Sequence, residues 1–343
     1  MMHPKDMLAA LPDALSIRMG NPPAMPHPLA DRVSAMNLAD IARLGGEMTA
    51  MERKHRPRAE QAVLGMGMSR SDFGAALGEA FMRLAKVRYK QFSEHRQLCQ
   101  KMEVNNFNEI HFPEIRADLA LKEINEMARY VAGSADVADG MVAKGLKTFG
   151  RILAISRETI VNDELELYGE LFSSMGSSAG RLENQMVFEA LEANPTLQDG
   201  EPTFSETLGN DLTGTALTVE SVGQAMAALR KQPLRRSEPA NNKPRFLVVS
   251  ADDEANAMQI MQDLRLDADI VASPFMTPGR WYLQADPEVA PVIHRLRLKG
   301  SDSPILVERA KKTIEFDGVR LKARADLGVV VTGRVGIVRG GAV

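Results

Sequence analysis

The sequence has little with which to cross-link or anchor itself. Cys99 is the one cysteine among 343 residues, so no disulfide can form within the chain, and stability must come from packing or assembly. Such cysteine usage fits synthesis in a reducing cytoplasm. No apolar run reaches the roughly 18 residues that a membrane-spanning helix needs. Residues 1–20 contain Lys5, Asp13 and Arg18 and no apolar stretch, so we predict neither a signal peptide nor a membrane partner.

An excess of positive charge is also lacking. The chain has 42 Lys and Arg against 45 Asp and Glu, a net charge of −3. A protein that grips DNA phosphates normally shows a basic excess. This balance suits a surface that lies near nucleic acid without sequence-specific binding, but most cytosolic proteins share it, and the charge alone decides nothing. Aromatic residues make up 5%, and the 20 methionines are interpreted as ordinary core filling.

The motifs of catalysis and metal binding are missing. The sequence contains no H-E-x-x-H, no C-x-x-C and no His pair at ligand spacing, so we predict no metal and no cofactor. The stretch GMVAKGLK at 140–147 lacks the G-K-[ST] ending of a phosphate loop. Gly176 to Gly180 (GSSAG) matches the nucleophile elbow G-x-S-x-G, which requires a sharp strand-to-helix turn. Here it lies inside a helical pattern, with periodic apolar residues on both sides, so we interpret it as small residues that allow another element to approach. A serine hydrolase using Ser177 or Ser178 is kept as an alternative, and we predict that the chain is not an enzyme.

The hydrophobic periodicity outlines a mixed helix-and-sheet chain. Residues 1–28 are rich in proline and predict an irregular lead, whereas 71–92 predicts a helix and 116–148 a long loop with little core of its own. The strongest signal is a helix over 163–193, opened by a capping box of Asp163 and Glu166 and stopped by Asn194-Pro195. Two further helices are predicted at 218–231 and 252–264. Strands are predicted at 108–115, 149–155, 245–249, 281–283, 294–298, 305–307, 313–316, 319–325 and 329–331, with a hairpin turn at Asp317-Gly318.

An ordered series of motifs resembles the Mu-like major head subunits of tailed bacteriophages. The segment KTFGRILAISRETIVND at 147–163 is similar to the one that precedes the long helix in that family. Later matches are AGRLE at 179–183, ANP at 193–195, LTVESVG at 217–223, PRFLVV at 244–249, WYL at 281–283 and DGV at 317–319. Upstream, MSRSDF at 68–73 is similar to the start of the family's N-terminal arm. The resemblance covers about 69–336, and its weight lies in the order of the motifs, since no single one is highly specific.

The resemblance implies an α+β class and the Hong Kong 97-type phage capsid fold. It divides the chain into an N-terminal lead that is either scaffold-like or cleaved (1–67), an N-terminal arm with the first strand (68–115) and an extended loop (116–148). A peripheral domain with its spine helix at 163–193 (149–214), an axial domain (215–295) and C-terminal strands that return to the peripheral domain (296–343) complete it. The lead could equally be an irregular extension.

The implied function is that of a major capsid protein, which self-assembles into the icosahedral shell enclosing phage DNA. The implied partners are other copies of the chain in hexamers and pentamers, a portal, a scaffold or prohead protease, and packaged double-stranded DNA bound without sequence specificity. The protein would be made in the host cytoplasm and end in the virion. Inter-subunit contacts are expected at Lys122, Arg129, Lys144, Lys147, Arg151 and Arg157. Some relatives cross-link their subunits through Lys and Asn. Lys122, Lys144 and Lys147 are expected on the loop, but no feature of the sequence indicates that they react. An encapsulin-like compartment shell is the other alternative.

Overall fold

A computed structural model describes residues 4–36, 70–117, 135–143, 145–156, 158–159, 162, 165–235, 238–301, 303–309 and 318–341. Its helices are α1 (Pro4–Arg18), α2 (Ala30–Ser34), α3 (Arg70–Gln91), α4 (Leu165–Glu192), α5 (Val219–Lys231) and α6 (Glu254–Leu264). Its strands are β1 (Gln100–Val104), β2 (Ile110–Ala117), β3 (Ala135–Ala143), β4 (Lys147–Ser156), β5 (Asp211–Thr213), β6 (Pro233–Arg235), β7 (Glu238–Pro239), β8 (Pro244–Ser250), β9 (Asp269–Ser273), β10 (Arg280–Ala285), β11 (Ile293–Leu298), β12 (Ile305–Arg309), β13 (Gly318–Leu327), β14 (Val329–Val331) and β15 (Ile337–Gly341). The predicted mixed helix-and-sheet class is confirmed.

The chain divides into two compact units. The first comprises Met1–Ser93, Thr148–Leu182 and Ser301–Asp326, and the second comprises Glu94–Lys147, Glu183–Gly300 and Leu327–Val343. The chain therefore passes from one unit to the other five times, and α4 contributes its first part to the first unit and its last part to the second.

The first unit is a three-stranded sheet in the order β12-β13-β4, covered by helices. Its core joins apolar residues of α1, α3 and α4 to the strand residues Val307, Val319 and Leu321. The rings of Phe81 on α3 and Phe172 on α4 stack with their centroids 4.4 Å apart. The helical spacing that predicted α3 and α4 thus places their apolar faces in one core.

The N-terminal lead is the main correction to the sequence-based prediction. Instead of an irregular segment, residues 4–18 form α1, and Ala10, Leu11, Ala14 and Leu15 are buried in the core of the first unit. Pro4 begins the helix, where the missing N–H costs nothing. Pro12 lies inside it, so burial of the apolar face outweighs the cost of that proline. Residues 37–67 of the predicted lead lie outside the described residues.

The second unit contains a five-stranded sheet in the order β5-β15-β10-β8-β9. Its strands are buried on both faces, because Phe246 and Val248 of β8 belong to one cluster and Leu247 and Val249 to another. Helices α5 and α6 supply the second cluster, and the last turns of α4, through Val187, Phe188 and Leu191, supply the first. Double burial explains why β8 reads as a continuous apolar run. A three-stranded sheet in the order β1-β11-β14 and the pair β2-β3 complete this unit.

Two predicted regions differ in detail. The loop expected over 116–148 contains regular structure, since β3 spans 135–143 and pairs with β2; the reason is that Gly and Asp weaken the alternation without preventing the pairing. Residues 118–134 of that loop, the strand predicted at 313–316, Asp317 and the Asp163 capping box lie outside the described residues. Strand β15, which was not predicted, lies inside the five-stranded sheet between β5 and β10.

Among the described residues, no helix is long and apolar enough to cross a membrane.

Candidate assembly surfaces

Strands β2 and β3 form a two-stranded antiparallel arm. Their register runs from Ile110 opposite Ala143 to Ala117 opposite Ala135, and neither strand pairs with a further described strand. An isolated pair of strands is at best marginally stable in water. The arm therefore depends on what it is packed against at its base.

The base of the arm is anchored in the second unit. Ile110, Phe112, Met141 and Ala143 pack against a small buried cluster comprising Val104, Leu146, Leu296 and Val330. Next to it, a Cβ on Gly145 would lie 2.2 Å from the backbone oxygen of Asn108, so this close approach admits only glycine. The arm thus begins from a fixed point.

The arm contains a bulge on β3, where the two residues at 139 and 140 oppose the single Pro113 of β2. The register shifts between Phe112 and Glu114, at Pro113, so that Met141 faces Phe112 and Ala138 faces Glu114. Proline has no N–H to donate to the ladder and is tolerated within sheets at bulges and edges. A bulge also bends and twists the strand that carries it.

Strand β4 lies at one edge of the sheet of the first unit, and its outer side pairs with no other strand among the described residues. It is the last strand of the order β12-β13-β4, and Lys147, Arg151 and Ile152 are exposed, Ile152 by 60%. On its paired side, a Cβ on Gly150 would lie 2.7 Å from the Ala323 backbone oxygen. The hydroxyl of Thr148 donates to Asp326 at 2.7 Å. Unpaired edge strands offer N–H and C=O groups to other chains.

Two of the six predicted contact residues lie on β4. Lys147 and Arg151 are four positions apart, which places them on the same face of the strand, and both are solvent-exposed. Lys122, Arg129, Lys144 and Arg157 lie outside the described residues. The structure therefore places two of the six residues on one exposed strand face, and contact with another subunit stays a prediction for all six.

The Gly-x-Ser-x-Gly motif lies in the middle of α4 and not on a strand-to-helix turn. The Ser177 hydroxyl donates to the Ser173 carbonyl within the helix, at 3.3 Å. A Cβ on Gly176 would lie 2.2 Å from the carbonyl oxygen of Ala85 in α3, and one on Gly180 would lie 3.0 Å from the Tyr89 oxygen. The interpretation as small residues for close helix approach is confirmed, and the elbow geometry needed by the hydrolase alternative is not present there.

Glu183 is the centre of a buried ion group that the sequence reasoning missed. Its carboxylate accepts hydrogen bonds from Nε2 of His95 at 3.0 Å and from Nη2 of Arg297 at 2.9 Å, and all three side chains are buried. Burial alone would raise the pKa of this carboxyl, but the hydrogen bonds and charges of His95 and Arg297 outweigh it and lower the pKa to about 2. The group joins α4 to β11 and to the 3-10 turn Glu94–Leu98 inside the second unit. The one available signal was a carboxylate in the apolar stripe between Ala179 and Val187.

No group of three or more His, Cys, Asp or Glu side chains is placed to hold a metal in the described part of the chain. The Cys99 thiol is buried, which raises its pKa far above the usual value, so it is a packing residue. The described residues form a mixed helix-and-sheet chain in which the β2-β3 arm and the outer side of β4 pair with no further described strand.

The chain belongs to the phage capsid protein family. The family model described as phage capsid protein matches residues 143–340, which is more than half of the chain. It is accordingly a capsid shell protein, and its place is the virion capsid. The predicted family is confirmed at this level, while the Mu-like subgroup stays a prediction.

Solved structures similar to this chain include capsid and encapsulin chains. A chain of the holo-SrpI encapsulin complex from Synechococcus elongatus is 8% identical, with a TM-score of 0.46 over 71% of this chain and 85% of that one. A chain from Mycobacterium phage Bobi is 13% identical, with a TM-score of 0.44 over 73% and 90%. The capsid of Myoviridae phage XM1 is 11% identical, with a TM-score of 0.40 over 73% and 92%. No curated protein sequence matches the chain. At these identities and TM-scores, the assignment depends on the family match.

Proposed function

We propose that this capsid protein is the major head subunit, which assembles through rings of five and six into an icosahedral shell around double-stranded DNA. The observation that supports this best is the family match over 143–340, which includes parts of both units. Head-to-tail contacts between identical copies close into rings when the rotation between neighbours permits it. The proposed fold is of the Hong Kong 97 type, with α4 as the spine helix.

The proposed division of labour follows the sequence resemblance. Residues 1–67 are the lead, 68–115 the N-terminal arm and 116–148 the extended loop. Residues 149–214 form the peripheral domain, 215–295 the axial domain and 296–343 the returning strands. In this scheme the β2-β3 arm is the base of the extended loop, and it gains its missing support by lying on a neighbouring copy.

The proposed inter-subunit contacts are cationic. Lys147 and Arg151 on β4 are exposed and share a face, so they can meet carboxylates of a neighbour. Lys122, Arg129, Lys144 and Arg157 are proposed for the same role on the strength of the resemblance. Such rim charges influence the rate and register of association more than its affinity.

The other proposed partners are a portal, a scaffold or prohead protease, and packaged DNA contacted without sequence specificity. A net charge of −3 agrees with the last of these, since a tightly held DNA would favour a basic excess. We propose synthesis in the host cytoplasm, no membrane partner and no enzymatic activity of the chain itself.

The first experiment is size-exclusion chromatography and negative-stain microscopy of the purified chain, with and without nucleic acid. We expect closed shells or rings of five and six. A chain that stays a small monomer or dimer at all concentrations and salts, even with a co-expressed scaffold, would contradict the proposal. Particles that contain a folded enzyme cargo instead of DNA when isolated from cells would indicate the encapsulin-like alternative.

A trimmed arm tests the role of the extended loop. Ala117 and Ala135 face each other across the arm, so replacing 118–134 with Asn-Gly closes it with a two-residue turn. Because the base of the arm is kept, we expect a subunit with an unchanged melting temperature that no longer builds shells. Normal shells from this variant would refute the loop assignment.

Reversing a charge on β4 tests the contact residues. Arg151→Glu should leave the free energy of unfolding of the subunit within about 0.5 kcal/mol of the parent's, because the side chain is exposed. We expect it to slow assembly and to shift its salt dependence. Lys101→Glu, at an exposed position on β1, is the matched control. Equal assembly rates for both variants would remove Arg151 from the contact set.

A further inference from the structure

The turn between β10 and β11 presents one apolar side chain to solvent. Val289 in this turn is 76% exposed. The backbone carbonyl oxygen of Asp286 accepts hydrogen bonds from the N–H groups of Val289 at 3.0 Å and of Ala290 at 2.9 Å. The Asp286 carboxylate accepts a further hydrogen bond from the Glu288 N–H at 2.9 Å. These contacts hold the turn in one shape, so Val289 is a fixed apolar knob with the exposed Glu288 beside it.

The second unit also contains an open groove beside α5. Its volume of about 380 Å³ lies at the small end of the range of about 300–1,000 Å³ that is typical of ligand sites. The groove is lined mainly by apolar side chains, together with one exposed cation and one buried amide: Leu208, Ala227, Ala228, Pro233, Lys231 and Gln232. A groove of this size fits a side chain such as valine with parts of its neighbours.

The knob and the groove are joined through the start of β15. Gln232, which lines the groove, accepts a hydrogen bond from the Gly336 N–H at 2.7 Å and donates one to the Ile337 carbonyl at 2.8 Å. The same Gly336 lies against the knob turn, since a Cβ on it would be 2.5 Å from the Cβ of Ala290. Their relative position within one copy is therefore fixed. A closed head-to-tail ring needs this, because each contact in it must repeat the same rotation.

We propose that Val289 of one copy inserts into the α5 groove of the next copy around a ring, with Glu288 placed beside Lys231 of that copy. This contact rests on the proposed function, because only a ring-forming subunit needs one surface to bind a different surface of its own kind. Each copy carries both halves of the contact, and the exposed Val289 leaves the groove of its own chain unfilled.

Charge and chemistry agree with a second copy as the occupant. An exposed carboxylate flanks the knob, and an exposed ammonium group lines the groove. Opposite charges at the rim of an interface fix its register and speed the encounter. An apolar anchor in a pocket, surrounded by polar groups, is also the common arrangement of a binding hot spot.

A charge exchange tests the polar half of the contact. Glu288→Lys and Lys231→Glu should each slow assembly about tenfold at low salt, whereas the variant that carries both changes should recover most of the parent's rate. Both side chains are exposed, so the melting temperature should change little. Single variants that assemble at the parent's rate, or a double variant without recovery, would overturn the pairing.

Single-cysteine variants test the apolar half. Val289→Cys and Ala227→Cys, both at exposed positions, are purified separately, mixed as unassembled subunits, assembled and then oxidised. Because each copy carries one of the two new cysteines, a disulfide between positions 227 and 289 joins two copies. Mass spectrometry of the linked peptides identifies it. Val289→Cys mixed with Met258→Cys is the matched control, since Met258 is also exposed but does not line the groove. Each variant assembled alone reports any contribution from buried Cys99.

We expect the cross-link between 227 and 289 in up to about half of the Val289→Cys chains, because neighbours are drawn at random from an equal mixture. We expect none in the control mixture. Particles that form without this cross-link would overturn the contact and leave the proposed function standing. An Ala227→Cys thiol that a scaffold alone protects from maleimide would assign the groove to the scaffold and also overturn the contact. A parent chain that forms no particle, even with a co-expressed scaffold, would overturn the proposed function and the contact with it.

Discussion

Glu183→Gln removes the negative charge at the centre of a buried group of ions. In the folded subunit, the Glu183 carboxylate lies 2.6 Å from Nη1 of Arg297 and accepts hydrogen bonds from Arg297 Nη2 and His95 Nε2. Gln keeps the shape of the side chain but cannot neutralise Arg297. The amide NH2 group of Gln also cannot accept a hydrogen bond. It would therefore face the donor groups of Arg297 or His95 in place of an accepting carboxylate oxygen. The substitution therefore leaves a buried guanidinium without its counter-ion.

Two independent arguments give the magnitude. Removing one partner of a buried ion pair usually costs about 3–5 kcal/mol. The pKa of the Glu183 carboxyl, raised by burial but lowered more strongly by His95 and Arg297, falls from its ordinary 4.5 to about 2. At 1.36 kcal/mol for each pKa unit, this shift corresponds to about 3 kcal/mol of folding free energy. We therefore expect a loss of about 3 kcal/mol or more in the free energy of unfolding near neutral pH.

Urea denaturation of the unassembled subunit measures this loss. The control is Glu189→Gln, the same change six positions further along α4, where the carboxylate is exposed and accepts from Gln185 at 2.6 Å. We expect the control to stay within about 0.5 kcal/mol of the parent. Equal stability of the two variants would refute the account of the buried group.

The pH dependence provides a second check. Because the folded pKa of Glu183 lies below the unfolded one, its contribution is complete above about pH 4.5 and is lost as the pH falls toward 2. The difference in unfolding free energy between the parent and Glu183→Gln should therefore shrink over this window. A difference that is constant from pH 7 to pH 2 would contradict the assignment.

Two further changes test the packing of α4. Met175→Lys, on the half-buried face that packs against the core of the first unit, should cost about 1–3 kcal/mol, whereas Leu171→Lys on the exposed face should change the melting temperature little. Equal melting temperatures would refute the helix orientation. Gly176→Ala should cost about 1–3 kcal/mol, because its Cβ would lie 2.2 Å from the Ala85 oxygen. Gly223→Ala in α5 has nothing within 4 Å and should stabilise by about 0.5–1 kcal/mol, so a loss at both glycines would indicate a general helix effect and not close packing.

The elements with strong, regular patterns were predictable from the sequence. Helix α4 was predicted over 163–193 and is observed over Leu165–Glu192, because its apolar spacing persists for eight turns and Asn194-Pro195 ends it. The interpretation of the Gly176 region as a close helix contact followed from its place inside that pattern. Local periodicity was sufficient in these cases since the helix buries one continuous face.

Helix α1 and strand β15 were not predictable in this way. In α1, two prolines and several alanines conceal an apolar face that is fixed by contact with α3. In β15, Gly340 and Gly341 suppress the strand signal, yet a Cβ on Gly340 would lie 2.2 Å from the Trp281 ring, so the neighbouring tryptophan requires the glycine. Both elements are determined by partners that are distant in sequence.

The candidate surfaces were predictable only in part. Lys147 and Arg151 are exposed as expected for contact residues, and whether they touch a neighbour stays a prediction. The buried ion group was missed because His95 and Arg297 lie 88 and 114 positions from Glu183. A single sequence carries no sign of such a pairing.

The position of β15 has a consequence for how the subunit is made. It lies between β5 and β10, yet it comes after every other strand of the five-stranded sheet. While the ribosome has not yet released Ile337–Gly341, β5 has no neighbour and one edge of β10 stays open. A nascent or truncated chain that ends before Ile337 therefore lacks a finished second unit. Only a chain that is translated through β15 can complete the five-stranded sheet, so incomplete chains lack the folded second unit that a shell subunit needs.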